Sequence, residues 1–82
     1  MISFFVLDVE EFRPLVDFAR KAEGVTVRGP TLNYYRIDAT RELRLTRKAM
    51  GLKPAVWHGA LTGGLIGKVG HFDNDTLTLI EG

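Results

Sequence analysis

The side chains able to do chemistry are few in this sequence, and the densest group is basic. Six bases lie between Arg36 and Lys53 (Arg36, Arg41, Arg44, Arg47, Lys48 and Lys53) against two acids, Asp38 and Glu42, for a local net charge of +4. Guanidinium and ammonium groups at this density can hold a phosphate or carboxylate, and Tyr34, Tyr35 and Trp57 supply aromatic surface beside them. One candidate ligand pocket follows. It combines an aromatic wall from Trp57 or Tyr35 with a cationic end from Arg47, Lys48 or Lys53, and His58 hydrogen-bonds a phenolic oxygen. Its ligand would be a small aromatic anion. The competing reading makes the bases a solvated face balanced by acidic neighbours and Trp57 a core residue.

The remaining reactive residues have simpler explanations. His71, Asp73 and Asp75 alternate and could bring three ligands to one side of a strand end, yet aspartates at a turn stabilise the turn itself. Asp8, Glu10 and Glu11 sit at a strand-to-helix junction, where carboxylates favour the helix start. Ser3 is the sole serine and lacks the glycines of a nucleophile elbow. The glycines from Gly59 to Gly70 suggest a phosphate loop, but both the dinucleotide and the nucleotide-triphosphate spacings require glycine where Thr62 stands. The absence of cysteine excludes disulfides, a thiolate nucleophile and zinc held by sulfur. Neither a metal nor a cofactor is expected.

The elements that would position these residues can be read from periodicity. Ile2 to Val9 is apolar on both faces and reads as a central strand. Phe12, Leu15, Val16 and Ala19 follow helical spacing, which predicts a helix from near Glu11, with Pro14 in its first turn, to Glu23-Gly24. Val25–Arg28 and Leu32–Asp38 read as a strand pair around Gly29-Pro30, and Glu42–Arg47 as a third strand of that group, with a helix as its rival. A basic bend leads to a short apolar helix over Pro54–Thr62, expected to be buried. Leu65–Phe72 and Thr76–Ile80 read as a terminal hairpin around Asp73-Asn74-Asp75. The expected order is β-α-β-β-β-α-β-β, an α+β fold with a small, mainly antiparallel sheet and two short helices, in a single domain over residues 1–82.

Composition narrows the partners. The 82 residues are 45% hydrophobic and 26% charged, and no apolar run is long enough to span a bilayer. No basic segment precedes an apolar signal core, so a cytoplasmic location without membrane partners is expected. A formal charge of +1, with no aromatic ribonucleoprotein motif and no GXXG loop, places a nucleic-acid-binding role last. A chain this small, with no covalent staple and two strongly apolar elements, is expected to associate with larger subunits or with itself.

The run Arg47-Lys48-Ala49-Met50-Gly51-Leu52-Lys53-Pro54-Ala55-Val56-Trp57-His58-Gly59-Ala60-Leu61-Thr62-Gly63-Gly64, followed by the Phe72-Asp73 turn, resembles the gamma-subunit family of phenylphosphate carboxylase. These are accessory chains of about this length. The resemblance implies a small non-catalytic or auxiliary subunit of a carboxylase complex in aromatic compound metabolism. In that family the conversion of phenylphosphate to 4-hydroxybenzoate resides in larger subunits related to decarboxylases that use prenylated flavin. It transfers no catalytic residue and no flavin motif onto this chain. The alternative is a stand-alone oligomeric domain that binds a small aromatic or anionic ligand.

Overall fold

Apolar side chains on both faces make Ile2–Leu7 (β1) an inner strand, and the computed structural model, which describes residues 1–82, places it there. β1 lies between Tyr34–Ala39 (β3) and Leu65–Ile66 (β5), with Val25–Thr31 (β2) outside β3, so that the sheet order is β2-β3-β1-β5 and every pairing is antiparallel. Ile2, Phe4 and Val6 stand opposite Ala39, Ile37 and Tyr35, and all six are buried on the inner face. The helix Arg13–Lys21 (α1) adds Leu15, Val16 and Ala19 to this core. Pro14 is in its first turn, where the missing N–H has no helical partner to lose. Glu10–Phe12 forms a 3-10 turn ahead of it, so the α-helix proper begins two residues later than the expected start near Glu11.

A second sheet completes the core. Glu42–Thr46 (β4), Lys68–Phe72 (β6) and Thr76–Ile80 (β7) are arranged in the order β4-β7-β6, again antiparallel. β4 therefore does not join the β2-β3 group, as its position in the sequence suggested. β1 already occupies the free edge of β3, and the leucines of β4 find a matching face on β7, where Leu43 pairs with Leu79 and Leu45 with Leu77. All four leucines are buried.

Three further segments depart from the sequence reading. The β2-β3 turn lies at Leu32-Asn33, while Gly29-Pro30 falls inside β2, so Leu32 is a turn residue and not the start of a strand. Residues Leu65 to Phe72 are not one strand: Gly67, at φ +133°, divides them, and β5 joins the first sheet while β6 joins the second. A Cβ at Gly67 would approach the Ile80 carbonyl oxygen to 2.9 Å, so the crossing requires glycine. Pro54–Thr62 is likewise not one helix. Pro54–His58 (which becomes α3, because the helical turn Arg47–Met50 is α2) is followed after Gly59 by a 3-10 turn, Ala60–Gly63. Gly63, at the end of this turn, passes so close to the Phe5 carbonyl that a side chain would collide with it, so the position requires glycine. This segment is also less buried than its apolar composition implied. Trp57 and Ala60 are in the core, whereas Ala55, His58 and Thr62 face outward. The result is an α+β fold with two small antiparallel sheets, and none of its helices is long and apolar enough to cross a membrane.

Candidate functional site

The outer face of the β2-β3-β1 sheet carries the richest arrangement of exposed side chains. Strand alternation puts Ser3, Phe5 and Leu7 of β1 on this face, together with Tyr34, Arg36 and Asp38 of β3 and Arg28 of β2. The register sets Phe5 beside Arg36, and Arg36 beside Arg28. Two like charges opposite each other on neighbouring strands repel unless a counter-charge intervenes. Asp38 is that counter-charge. Its Oδ1 accepts hydrogen bonds from Arg36 Nε at 2.9 Å and from Ser3 Oγ at 2.7 Å, and Arg36 Nη2 donates to Ser3 Oγ at 3.0 Å. Arg28 Nε lies 3.4 Å from Oδ2, an oxygen that accepts no hydrogen bond.

Asp38 is 6% exposed, covered from the solvent side by its arginine partners. Burial by itself raises its pKa. The hydrogen bonds from Ser3 and Arg36 and the charges of Arg36 and Arg28 outweigh that effect and hold the carboxyl below its ordinary value. The guanidiniums remain available, with the Arg28 side chain 66% exposed and that of Arg36 44%. Arg36 also lies over the Phe5 ring, 5.8 Å from its centroid. Phe5, Arg28, Thr31, Tyr34 and Arg36 enclose an open depression of about 390 Å³.

The β2-β3 hairpin projects beside this depression. Thr31 pairs with Tyr34, leaving Leu32-Asn33 as a two-residue loop with φ values of +53° and +72°. Loops with two positive φ angles prefer Asn-Gly or Asp-Gly. Leucine in the left-handed region costs about 1–2 kcal/mol, and here it is also 89% exposed. The tip is nonetheless held in place, because Asp8 N–H donates to the Asn33 carbonyl oxygen at 2.7 Å.

The six residues considered for a ligand pocket take other positions, and no single cavity gathers them. Trp57 is fully buried, and its indole N–H donates to the Asp73 carbonyl oxygen at 2.7 Å. Arg47 is half-buried and donates to the carbonyl oxygens of Asn74 at 2.9 Å and Leu52 at 3.2 Å, with Asp75 3.5 Å away. These two residues thus converge on the β6-β7 turn. His58 is exposed and presents its ring edge-on to Phe72 at 5.9 Å. Lys48 is exposed, Lys53 borders a shallow depression with Glu10 and Glu11, and Tyr35 is buried on the inner sheet face, with Arg20 5.9 Å above its ring.

Asp73 organises the same turn. Its Oδ1 accepts the backbone N–H groups of Asp75 and Thr76, each at 2.8 Å, and its Oδ2 lies 2.7 Å from His71 Nε2. Led by the bond from Asp75 N–H, these interactions lower its pKa to about 2. Asp75 instead faces Arg47, and no three His, Asp or Glu side chains converge in an arrangement that could hold a metal ion.

Of the outer-face residues, Arg36 and Tyr34 belong to the basic and aromatic groups evident in the sequence. Arg28, Phe5 and Leu32 do not. The sequence reading put Leu32 at the start of a strand and the turn at Gly29-Pro30, so the exposed leucine at the hairpin tip emerges only from the structure.

The fold defines the class to which the chain can be compared: small α+β proteins with one four-stranded and one three-stranded antiparallel sheet. Among solved structures, a chain in the structure of a phenol hydroxylase–regulatory protein complex shares it. The TM-score is 0.75 at 20% sequence identity, and the match covers 99% of this chain and 98% of that chain. At this identity the likeness establishes the fold. No family model and no curated protein matches the sequence.

Proposed function

We propose that this chain is a small regulatory component of a multicomponent enzyme of aromatic metabolism and that it acts by binding a larger catalytic component. The carrying observation is the fold likeness to a chain of a phenol hydroxylase–regulatory protein complex, which covers 99% of this chain and 98% of that chain. The disposition of the reactive side chains supports it. Ser3 is buried and bonded to Arg36 and Asp38, His71 is committed to Asp73, and His58 stands on the surface against Phe72.

The enzyme served is, in this reading, a hydroxylase acting on phenolic rings. The carboxylase implied by the resemblance of residues 47 to 64 is the alternative arm of the same test. Tagged chain is used to recover its partner from a native extract, the partner is identified by mass spectrometry, and turnover of phenol and of phenylphosphate is measured with and without added chain. A stoichiometric complex with an aromatic hydroxylase, and phenol turnover that changes severalfold on addition, is the expected result. A complex with a carboxylase would transfer the role to the other enzyme class. A chain that forms no complex and alters neither rate overturns the proposal.

A further inference from the structure

The geometry points to a docking surface made of the β2-β3 hairpin tip and the outer sheet face behind it: Leu32 enters an apolar socket on a larger protein, while Arg28 and Arg36 pair with carboxylates on the socket's rim. This rests on the reading of the chain as a component that binds a larger protein, and it assigns the surface and the chemistry of the partner.

Three observations select a protein socket. Leu32 projects from a convex tip and is 89% exposed, whereas small molecules are held in concave sites. Its backbone is in the left-handed region, where leucine is disfavoured, so folding of the isolated chain gives no reason for an apolar residue there. The tip is also tied to the end of β1 by the Asp8–Asn33 bond, so it is ordered before any partner arrives.

Charge sets the chemistry of the rim. Two guanidiniums share one carboxylate, which leaves one positive charge in excess, and both remain substantially exposed. The buried Asp38 fixes their positions without exhausting their donors, since a guanidinium carries five N–H groups. Tyr34, two residues from Leu32 along the hairpin, and Phe5, beside Arg36, add aromatic surface to the same face. An apolar anchor with arginine and aromatic neighbours is the composition of an interface hot spot. A single excess charge is too little for a nucleic-acid backbone, whose binding depends on several neutralised phosphates.

The test uses the full chain and the larger component recovered with tagged wild-type protein, measuring both affinity and melting temperature. Leu32→Asn should weaken binding at least tenfold while leaving the melting temperature unchanged or raised, because asparagine accepts the left-handed conformation. Arg28→Glu should also weaken binding at least tenfold, and Arg28→Gln gives the same reading if the reversed charge lowers the melting temperature. Arg44→Glu, an exposed position on β4 in the other sheet, should bind within twofold of wild type. Wild-type binding with both Leu32→Asn and the Arg28 variant within twofold overturns this surface and leaves the regulatory reading standing. Loss in only one of the two overturns the joint use of tip and guanidiniums, as does an equal loss in Arg44→Glu. A wild-type chain that binds no larger component overturns both readings.

Discussion

Trp57 and Asp73, sixteen positions apart, are joined by a 2.7 Å hydrogen bond from the indole Nε1 to the backbone carbonyl oxygen of Asp73. The bond ties α3 to the β6-β7 turn, and the Trp57 ring packs against Phe72 at a centroid distance of 5.8 Å. Arg47 reaches the same turn through Asn74 and Asp75, so the second sheet is anchored at this end by two residues that come from outside the hairpin.

Truncating Trp57 should therefore remove a large fraction of the stability. Trp57→Ala is expected to cost about 3–5 kcal/mol through cavity formation. Trp57→Phe retains much of the apolar volume but removes the donor to the carbonyl of the exposed Asp73, for a cost of about 0.5–1.5 kcal/mol. Urea unfolding followed by far-UV circular dichroism checks both, and a Trp57→Phe variant as stable as wild type would show that the hydrogen bond is irrelevant beside packing.

Asp73 should give the protein an acid-sensitive turn. Its folded pKa of about 2 lies below the reference value of 3.8, so the ionised form is favoured by folding. The sign follows: the contribution is fully present above the reference value and is lost as pH falls from about 3.8 towards about 2. In Asp73→Asn this dependence disappears. The urea midpoint of wild type should fall more steeply than that of the variant over this window, and parallel curves would refute the assignment.

Removing Asp38 should be felt through the arginines it separates. Asp38→Asn leaves Arg28 and Arg36 opposite each other without a counter-charge and weakens the bonds from Ser3 and Arg36. A loss of about 1–2 kcal/mol is expected, smaller than for a core ion pair because the arginine ends are solvated. Raising the salt concentration should narrow the gap between variant and wild type, since screening weakens the repulsion. A gap that stays constant would assign the loss to hydrogen bonding alone.

Gly67→Ala and Gly24→Ala should separate two kinds of positive-φ glycine. Gly24 has φ +73° and open space around it, so alanine there should cost about 1 kcal/mol from backbone preference. At Gly67, alanine meets the Ile80 carbonyl oxygen as well as an unfavourable φ of +133°, and the loss should be at least twice as large. Thermal melts of the pair check this, and similar melting temperatures would mean that the crossing between the sheets has room to relax.

Local chemistry made most of the elements legible in the sequence. The two-sided apolar run of β1, the helical spacing of Leu15, Val16 and Ala19, and the alternation of Leu43 with Leu45 and of Leu77 with Leu79 are all patterns within a single segment. The α+β class follows from them. Which strands pair was decided only in three dimensions, because β4 and β7 are matched by leucine faces more than thirty residues apart and nothing near β4 in the chain records its partner. The break at Gly67 was hidden for a similar reason: what demands glycine there is the carbonyl of Ile80, which is brought close by the second sheet. The functional face shows the same division. Basic and aromatic composition marked Arg36 and Tyr34, while Arg28, Phe5 and Asp38 became one cluster through strand register, which places side chains from three segments on a common surface. Trp57 and Arg47 moved the other way, from candidate ligand contacts in the sequence to supports of a turn, because the fold delivers backbone carbonyls to their donors and a side chain's role depends on what the tertiary structure sets against it.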